Sequence, residues 1–338
     1  MNSGTHYVVV GQNGSPYSMK LRALMRYRRL PFDWVLRTER NMAEFAEVKP
    51  LLMPMIRFPG ETKWRVDSTP IIEDLEQRHP DQRSVVPDSP GRAFLAYLIE
   101  DFADEWLTKA MFHYRWAYDA DIRYASFWIA DDFFPDQKGD ARAAAARRFA
   151  QRQIERMPLV GCTPQNAPII EATYTRTLDM LESHVGFHDH LFGSRLSIAD
   201  FGLFGQLKTL ATDPTPLAIM RERAQRTESW TRQLDDASGL EGEWYPAHVA
   251  LPEATVGLLR LVAETYLPFL VANAEAIERG DEKVELTLLG QTYAQAPFGY
   301  QRKCLTVLRQ RFAALNADSL DEVGSLLEET GCLPYFSH

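Results

Sequence analysis

The chain has 338 residues, of which 45% are hydrophobic and 25% charged, as in an ordinary folded protein of about two domains. Its formal net charge of -9 argues against nucleic acid or an anionic membrane as the main partner. No apolar run is long enough to predict a membrane span, and residues 1–6 do not resemble a signal peptide. The three cysteines are widely spaced, which fits a reducing compartment, so we expect a cytoplasmic location.

The first 85 or so residues alternate between strand and helix patterns. Short runs rich in β-branched and aromatic residues predict four strands, at 7–10, 32–36, 55–58 and 64–66. Helices are predicted to begin at Ser15–Pro16 and at Ser68–Pro70, because serine is a good N-cap and proline suits the first helical turn. The predicted order is therefore βαβ followed by ββα.

From about residue 90 the sequence predicts helices only. The apolar spacing predicts them at 94–116, 141–157, 169–184, 197–211, 255–278 and 300–316, with one or two more over 217–234. The best domain boundary lies at Pro87–Pro90, where two prolines flank Asp88 and Ser89. We therefore predict an α/β domain over 1–88 and an all-helical domain over 89–338.

Three local features of the first domain indicate chemistry. Ser15 lies at a helix N-terminus, where backbone N–H groups favour an anion and a hydroxyl can donate to a bound thiolate. Met53–Pro54 precedes a strand, and a cis proline there would turn the backbone toward a ligand. At the next helix start, Ser68 can hold a carboxylate and Asp67 an ammonium group. Taken singly, each feature is better explained by plain helix capping or by an ordinary trans proline, and only their combination favours a ligand site.

Together these features resemble the thioredoxin-like domain of the glutathione transferase superfamily. The matching residues are 15–22, 53–54 and 67–71. The resemblance implies glutathione transferase architecture, an α/β thioredoxin-like domain followed by an all-α C-terminal domain. It also implies that Ser15 activates the glutathione sulfur, that Met53 with Pro54 pairs with the cysteinyl backbone, and that the Asp67–Ser68 pair grips the γ-glutamyl end.

Two departures from the family pattern affect the expected site. Ser15 and Ser18 stand where related redox proteins carry Cys-x-x-Cys, and disulfide exchange needs a thiolate, so a redox thiol enzyme is disfavoured. Ser18, one turn into the helix, is the second candidate for thiol activation. Lys49 precedes Pro50 where the family usually has asparagine. Lys49 either adds positive charge near a glutathione carboxylate or is a solvated loop residue.

The helical half carries a second matching segment. Residues 192–200 resemble the Gly-x-x-x-Ser-x-Ala-Asp segment of the family. Ser197 is predicted to cap the following helix while Asp200 reaches back to it, which makes a capping box. This segment is structural and not catalytic.

In the family, the first long helix of the helical domain borders the acceptor pocket and the dimer interface. Trp106, His113 and Trp116 lie on that helix and are therefore candidate acceptor-pocket residues, although core packing is the alternative. Asp101 or Asp104 is a further candidate for reaching the glutathione amine.

The resemblance predicts a glutathione transferase-like enzyme. Its activated thiolate would attack a small hydrophobic electrophile, in conjugation, thioether or ether cleavage, dehalogenation or isomerisation. The alternative is a non-enzymatic glutathione-binding or scaffold protein on the same fold. The family implies a homodimer and no metal, although His184, His188 and His190 raise the question of a metal site.

The resemblance covers about residues 5–235, and residues 240–338 form an extension of unassigned role. Residues 298–300 and 244–246 either cover the pocket or anchor the extension.

Overall fold

The computed structural model describes residues 6–80 and 83–336. Its first part is a small mixed sheet with two helices. The elements are β1 (Tyr7–Gly11), α1 (Pro16–Tyr27), β2 (Phe32–Leu36), β3 (Met55–Arg57), β4 (Trp64–Val66) and α2 (Ser68–Arg78), with a 3₁₀ turn at Met42–Phe45. The strand order is β2-β1-β3-β4, in which only the β1–β2 pair is parallel. The predicted βαβ and ββα order is confirmed.

The beginning of α1 is fixed by local chemistry. The Ser15 side chain accepts a hydrogen bond from the backbone N–H of Ser18, and Pro16 occupies the first turn. The helix then packs closely on a helix of the second domain at Gly205. A Cβ at Gly205 would lie 2.5 Å from the carbonyl oxygen of Pro16, so only glycine allows this approach.

The second part is a helical bundle. Its helices are α3 (Pro90–Phe102), α4 (Thr108–Ala117), α5 (Asp119–Phe133), α6 (Gly139–Arg156), α7 (Ala167–Val185), α8 (Ile198–Leu210), α9 (Pro214–Arg223) and α10 (Gln225–Gln233). A π-helical turn, Ala103–Leu107, joins α3 to α4, so the long helix predicted over 94–116 has an irregular centre. The sequence did not predict α5.

The capping box predicted at α8 is confirmed. The Ser197 hydroxyl accepts from the Asp200 backbone N–H, while the Asp200 carboxylate accepts from the Ser197 backbone N–H at 2.8 Å. The same carboxylate also accepts from the backbone N–H of Leu191 at 3.1 Å. Asp200 therefore fixes the loop before the helix as well as the helix start.

The extension contains two long helical stretches with a hairpin between them and a further helix at the end. Its elements are α11 (Glu253–Leu261), a π-helical turn (Val262–Tyr266), α12 (Leu267–Arg279), β5 (Val284–Leu288), β6 (Gln291–Gln295), α13 (Gly299–Ala313) and α14 (Ala317–Glu329). The expectation of helices alone after residue 90 is wrong at this hairpin. Leu289 and Gly290 both take positive φ, at 49° and 75°, which gives the tight turn that joins β5 to β6.

The extension shares its core with the rest of the chain. Trp106 packs against Phe269 and Tyr293 at ring-centroid distances of 5.3 and 5.2 Å. Phe94 of α3 likewise packs against Phe312 and Phe336. Leu24 and Ile71 of the first domain belong to the same buried apolar cluster as these rings, so all three parts of the chain share one core.

One helical stretch in the described part, residues 253–279, is long and apolar enough to cross a membrane by length and composition. Within it, 67% of the tested window is buried inside the fold. A buried core helix passes the same test, so the stretch is weak evidence for a membrane span.

Candidate functional site

A cavity of about 680 Å³ lies between the sheet domain and the helical parts. The loop after β1, the start of α1, the loop before β3 and the start of α2 form one wall. The opposite wall comes from α3 to α6 and from the residues around the start of α13. All three parts of the chain therefore contribute to one cavity.

Ser15 lines this cavity at the N-terminus of α1. Its Oγ accepts from the Ser18 backbone N–H at 3.2 Å, and the described residues offer no acceptor for its hydroxyl proton. The hydroxyl is therefore available to donate into the cavity. Ser18 lies elsewhere: its side chain is 0% exposed and accepts from the Gln12 backbone N–H, so it does not reach the cavity wall.

The loop before β3 forms the cavity rim. The Met53–Pro54 peptide bond is cis and Met53 lines the cavity, with Pro54 buried behind it. Leu51 and Leu52 stand at the rim and are partly exposed. Lys49 is exposed and absent from the cavity lining, so the structure favours the solvated-loop interpretation of that residue.

Asp67 and Ser68 stand together at the start of α2 and both line the cavity. Asp67 takes a positive φ of 76° and makes no capping hydrogen bond, which leaves its carboxylate for other partners. Its Oδ2 accepts from the hydroxyl of Tyr300 at 2.8 Å. Ser68 is buried, with its Oγ 3.4 Å from Lys20 Nζ.

Lys20 forms a buried ion cluster beneath these residues. Its side chain is 0% exposed and its Nζ lies 2.6 Å from Asp104 Oδ2, with Glu100 in direct contact. Burial alone would lower the pKa of Lys20, but the negative charges of Asp104 and Glu100 outweigh it and raise that pKa. The ammonium therefore stays charged and holds Ser68 and the two carboxyl groups in place.

Acidic residues crowd the same end of the cavity. Burial raises the pKa of Asp101 to about 7, and that of Asp104 to about 7 against the opposing charge of Lys20. Burial, together with the charges of Asp101 and Asp104, raises the pKa of Glu105 well above its ordinary value. Since all three residues line the cavity, this end can hold protons near neutral pH.

The other end of the cavity is aromatic. Trp116 of α4, Phe133 of α5 and Phe149 of α6 line it, with Phe149 5.3 Å from Phe133 and 6.0 Å from Trp116. At the mouth, Leu159 is 61% and Phe298 49% exposed. We call this end the aromatic compartment, and its composition suits a flat apolar ligand.

Two of the three predicted acceptor-pocket residues lie outside the cavity. Trp106 is 2% exposed and its Nε1 donates to Thr173 Oγ1 at 3.3 Å. His113 is buried, with its Nε2 2.8 Å from Glu171 Oε1. Both side chains pack into the bundle core, so of the three only Trp116 keeps its predicted place.

Some cavity residues have no sequence signal of their own. Phe149 and Lys109 lie on helices in which the spacing of apolar residues does not show which face meets a ligand. Lys109 Nζ donates to the Val160 carbonyl oxygen at 2.9 Å and to Gln295 Oε1 at 3.0 Å. Burial lowers the pKa of Lys109 to about 8. Lys109 thus joins the bundle to the hairpin at the cavity wall.

The histidine-rich loop is separate from the cavity. The rings of His184 and His188 stack at 5.1 Å, and His188 Nδ1 lies 3.1 Å from the Tyr245 hydroxyl. Over residues 6–80 and 83–336, no group of three or more His, Cys, Asp or Glu side chains is placed to hold a metal ion.

Two family models match the chain. One, described as the glutathione S-transferase N-terminal domain, matches residues 14–78, and the other, its C-terminal domain, matches residues 141–232. No curated protein matches the sequence significantly. β1, α3 to α5 and the whole extension lie outside the segments that the two family models match.

The chain is also similar to several solved structures. One is a β-etherase from Sphingobium sp. strain SYK-6, with 18% sequence identity, 68% of this chain and 94% of that chain covered, and a TM-score of 0.48. Another is a glutathione S-transferase from Methylobacterium radiotolerans in complex with glutathione sulfonate. It has 19% sequence identity, 73% of this chain and 100% of that chain are covered, and the TM-score is 0.42. A third is a glutathione S-transferase from Ceriporiopsis subvermispora in complex with glutathione. It has 14% sequence identity, 70% of this chain and 98% of that chain are covered, and the TM-score is 0.46.

Proposed function

We propose, since this chain belongs to the glutathione transferase superfamily, that it binds glutathione in the cavity and activates its thiol against a hydrophobic electrophile. Conjugation, thioether or ether cleavage, dehalogenation and isomerisation all begin with this activated thiolate. The proposal therefore concerns the activation step and the place of the two substrates.

One observation carries the proposal. Ser15, Met53 and the Asp67–Ser68 pair, which are far apart in sequence, line a single cavity that continues into the aromatic compartment. A tripeptide thiol anchored at Asp67 and Ser68 and passing Met53 would bring its sulfur to the start of α1. The aromatic compartment then offers room for the electrophile beside that sulfur.

Ser15 is the group that we propose stabilises the thiolate. Its hydroxyl proton is available, and the N-terminus of α1 adds positive potential at the same place. A hydrogen bond to the charged form favours ionisation, so the thiol pKa of bound glutathione falls. The thiolate then attacks an electrophilic carbon, a C–S bond forms, and in a displacement the leaving group departs with the electron pair.

The test is a calorimetric titration of glutathione into the wild type and Asp67→Asn, followed by a pH titration of thiolate absorbance for bound glutathione. We expect wild-type binding that Asp67→Asn weakens about tenfold or more, because a hydrogen-bonded charge is lost. We expect Ser15→Ala to raise the bound thiol pKa by about one unit.

The outcomes separate the enzyme from the alternative. No wild-type binding up to about 10 mM glutathione, above the usual micromolar-to-millimolar range, refutes the proposal. Binding without a lowered thiol pKa favours a non-enzymatic glutathione-binding protein. A homodimer stays a family-based prediction, which sedimentation of the full chain measures.

A further inference from the structure

The start of α13 is held firmly against the cavity by the extension. The Phe298 backbone N–H donates to Asn273 Oδ1 at 2.8 Å, and Asn273 Nδ2 donates back to the Phe298 carbonyl oxygen at 3.0 Å. Asn273 is fully buried in α12. Since both hydrogen bonds fix the backbone just before α13, the next side chains enter the cavity wall in a defined position.

Tyr300 reaches across to the thioredoxin-like domain. Its hydroxyl donates to Asp67 Oδ2 at 2.8 Å. The other oxygen of Asp67 has no hydrogen-bond partner within the described part of the chain, and Asp67 lines the cavity. Tyr300 therefore fixes the rotamer of this carboxylate while leaving one oxygen to a ligand.

Gln301, the residue after Tyr300, supplies an unpaired acceptor in the same cavity. The side chain is 4% exposed, and its Nε2 donates to the Glu105 carbonyl oxygen at 3.3 Å. That contact fixes which end of the amide is nitrogen, because a carbonyl oxygen can only accept. Gln301 Oε1 is buried without a hydrogen-bond partner among the described residues, although Gln301 lines the cavity. Buried acceptors are normally paired, so this oxygen is suited to a donor from a ligand.

We infer that Tyr300 and Gln301 complete the subsite for the amino end of glutathione and determine selectivity for a free ammonium group there. The inference rests on the proposed function. The free Asp67 oxygen and Gln301 Oε1 are both acceptors, and a primary ammonium carries three donors and a positive charge. The γ-glutamyl ammonium is the group of glutathione with that chemistry.

Neither residue lies in the segments that match the family models, 14–78 and 141–232. The subsite therefore combines the family's acid–serine pair with two side chains from the extension. This gives the extension a role in ligand selection, in addition to its role in the core.

The test compares glutathione with its deamino analogue, in which a glutaryl group replaces γ-glutamyl. Calorimetric titration of both thiols into the wild type should show a preference for glutathione. Gln301→Met, which keeps length and removes the acceptor, should weaken glutathione binding about tenfold and leave the analogue unchanged. Gln310→Met is the matched control, because Gln310 is exposed on the same helix.

Two further variants keep the test decisive where Gln301→Met is unstable. Gln301→Glu retains an acceptor at the same place and should preserve the preference for glutathione. Tyr300→Phe removes only the hydroxyl that holds Asp67 and should reduce the preference about threefold. Thermal unfolding of each variant separates these effects from loss of fold.

An unchanged preference in both Gln301→Met and Tyr300→Phe, with wild-type discrimination intact, overturns the inference and leaves the proposed function standing. A wild type that binds glutathione and the analogue equally well also overturns it. A wild type that binds neither thiol refutes the proposed function, and the inference is refuted with it.

Discussion

Replacement of Lys20 by methionine should destabilise the protein strongly. Lys20 is fully buried between Glu100 and Asp104, and also contacts Ser68 and Thr69. Lys20→Met removes the cation and leaves two buried carboxyl groups without it. Breaking a buried ion pair on one side costs about 3–5 kcal/mol. This is a large part of the ~5–15 kcal/mol by which a folded protein is typically stable.

The size of the effect on melting follows from chain length. An unfolding entropy of ~2.1 cal/mol/K per residue over 338 residues gives about 0.7 kcal/mol/K. A loss of about 3–5 kcal/mol then lowers the melting temperature by about 4–7 °C. Differential scanning calorimetry, with urea unfolding for the free energy, measures both quantities.

The loss of unfolding free energy in Lys20→Met should also depend on pH. The pKa of Asp104 is already raised to about 7 by burial, and it rises further once Lys20 is gone. When a carboxyl group has a raised pKa in the folded state, the protein loses stability as the pH increases through that pKa. The difference between wild type and Lys20→Met should therefore be larger at pH 8.5 than at pH 5.5.

The control is Lys208→Met, because Lys208 pairs with Asp235 at 3.4 Å on a partly exposed surface. Such a pair contributes about 0–1 kcal/mol. The double variant Lys20→Met with Glu100→Gln should recover part of the loss. A shift for Lys20→Met no larger than that of Lys208→Met, or one that is equal at both pH values, would refute the reasoning about this cluster.

Three further results are expected. Asp101→Asn should flatten the fall in unfolding free energy as the pH rises through about 7, because burial raises the pKa of Asp101 to about 7 and the ionised carboxylate destabilises the folded state. Urea titrations of both proteins at several pH values measure this, and parallel pH profiles would contradict it. Trp116→Leu should raise KM for aromatic electrophiles, because Trp116 lines the cavity. Trp106→Leu should lower stability with little change in KM, because Trp106 is buried in the core. Equal changes in KM for the two variants would contradict this placement of the rings. Ser18→Ala should leave the thiol pKa of bound glutathione unchanged where Ser15→Ala raises it, and a rise in both would show that Ser18 reaches the sulfur.

Local sequence signals predicted the parts of this fold that are determined locally. The cap at Ser15 and the capping box of Ser197 and Asp200 each depend on residues within three positions of one another. The strands of the first domain carry β-branched and aromatic runs, which are visible without knowledge of their partners. The caps are readable because neighbouring residues supply both donor and acceptor, and the strands because their residue composition is itself a local signal.

Most of the parts that were not predicted depend on distant contacts, and the hairpin is the exception. The hairpin could have been found, because residues 284–295 are two five-residue runs separated by Leu289 and Gly290. Tyr300 and Asp67 are 233 positions apart, and no spacing rule joins them. Trp106 and Trp116 lie along one aromatic-rich stretch, so helical periodicity alone did not show that a ligand cavity meets only one of them.

The shared core has a practical consequence for fragments of this chain. A fragment ending at residue 232, where the family match ends, would lack Phe269, Tyr293 and Phe312. The faces of Trp106 and Phe94 that these rings cover would then meet water, and a contiguous apolar surface of this kind promotes aggregation. We therefore expect a soluble fragment of this protein to include the extension as well as the segments that the family models match.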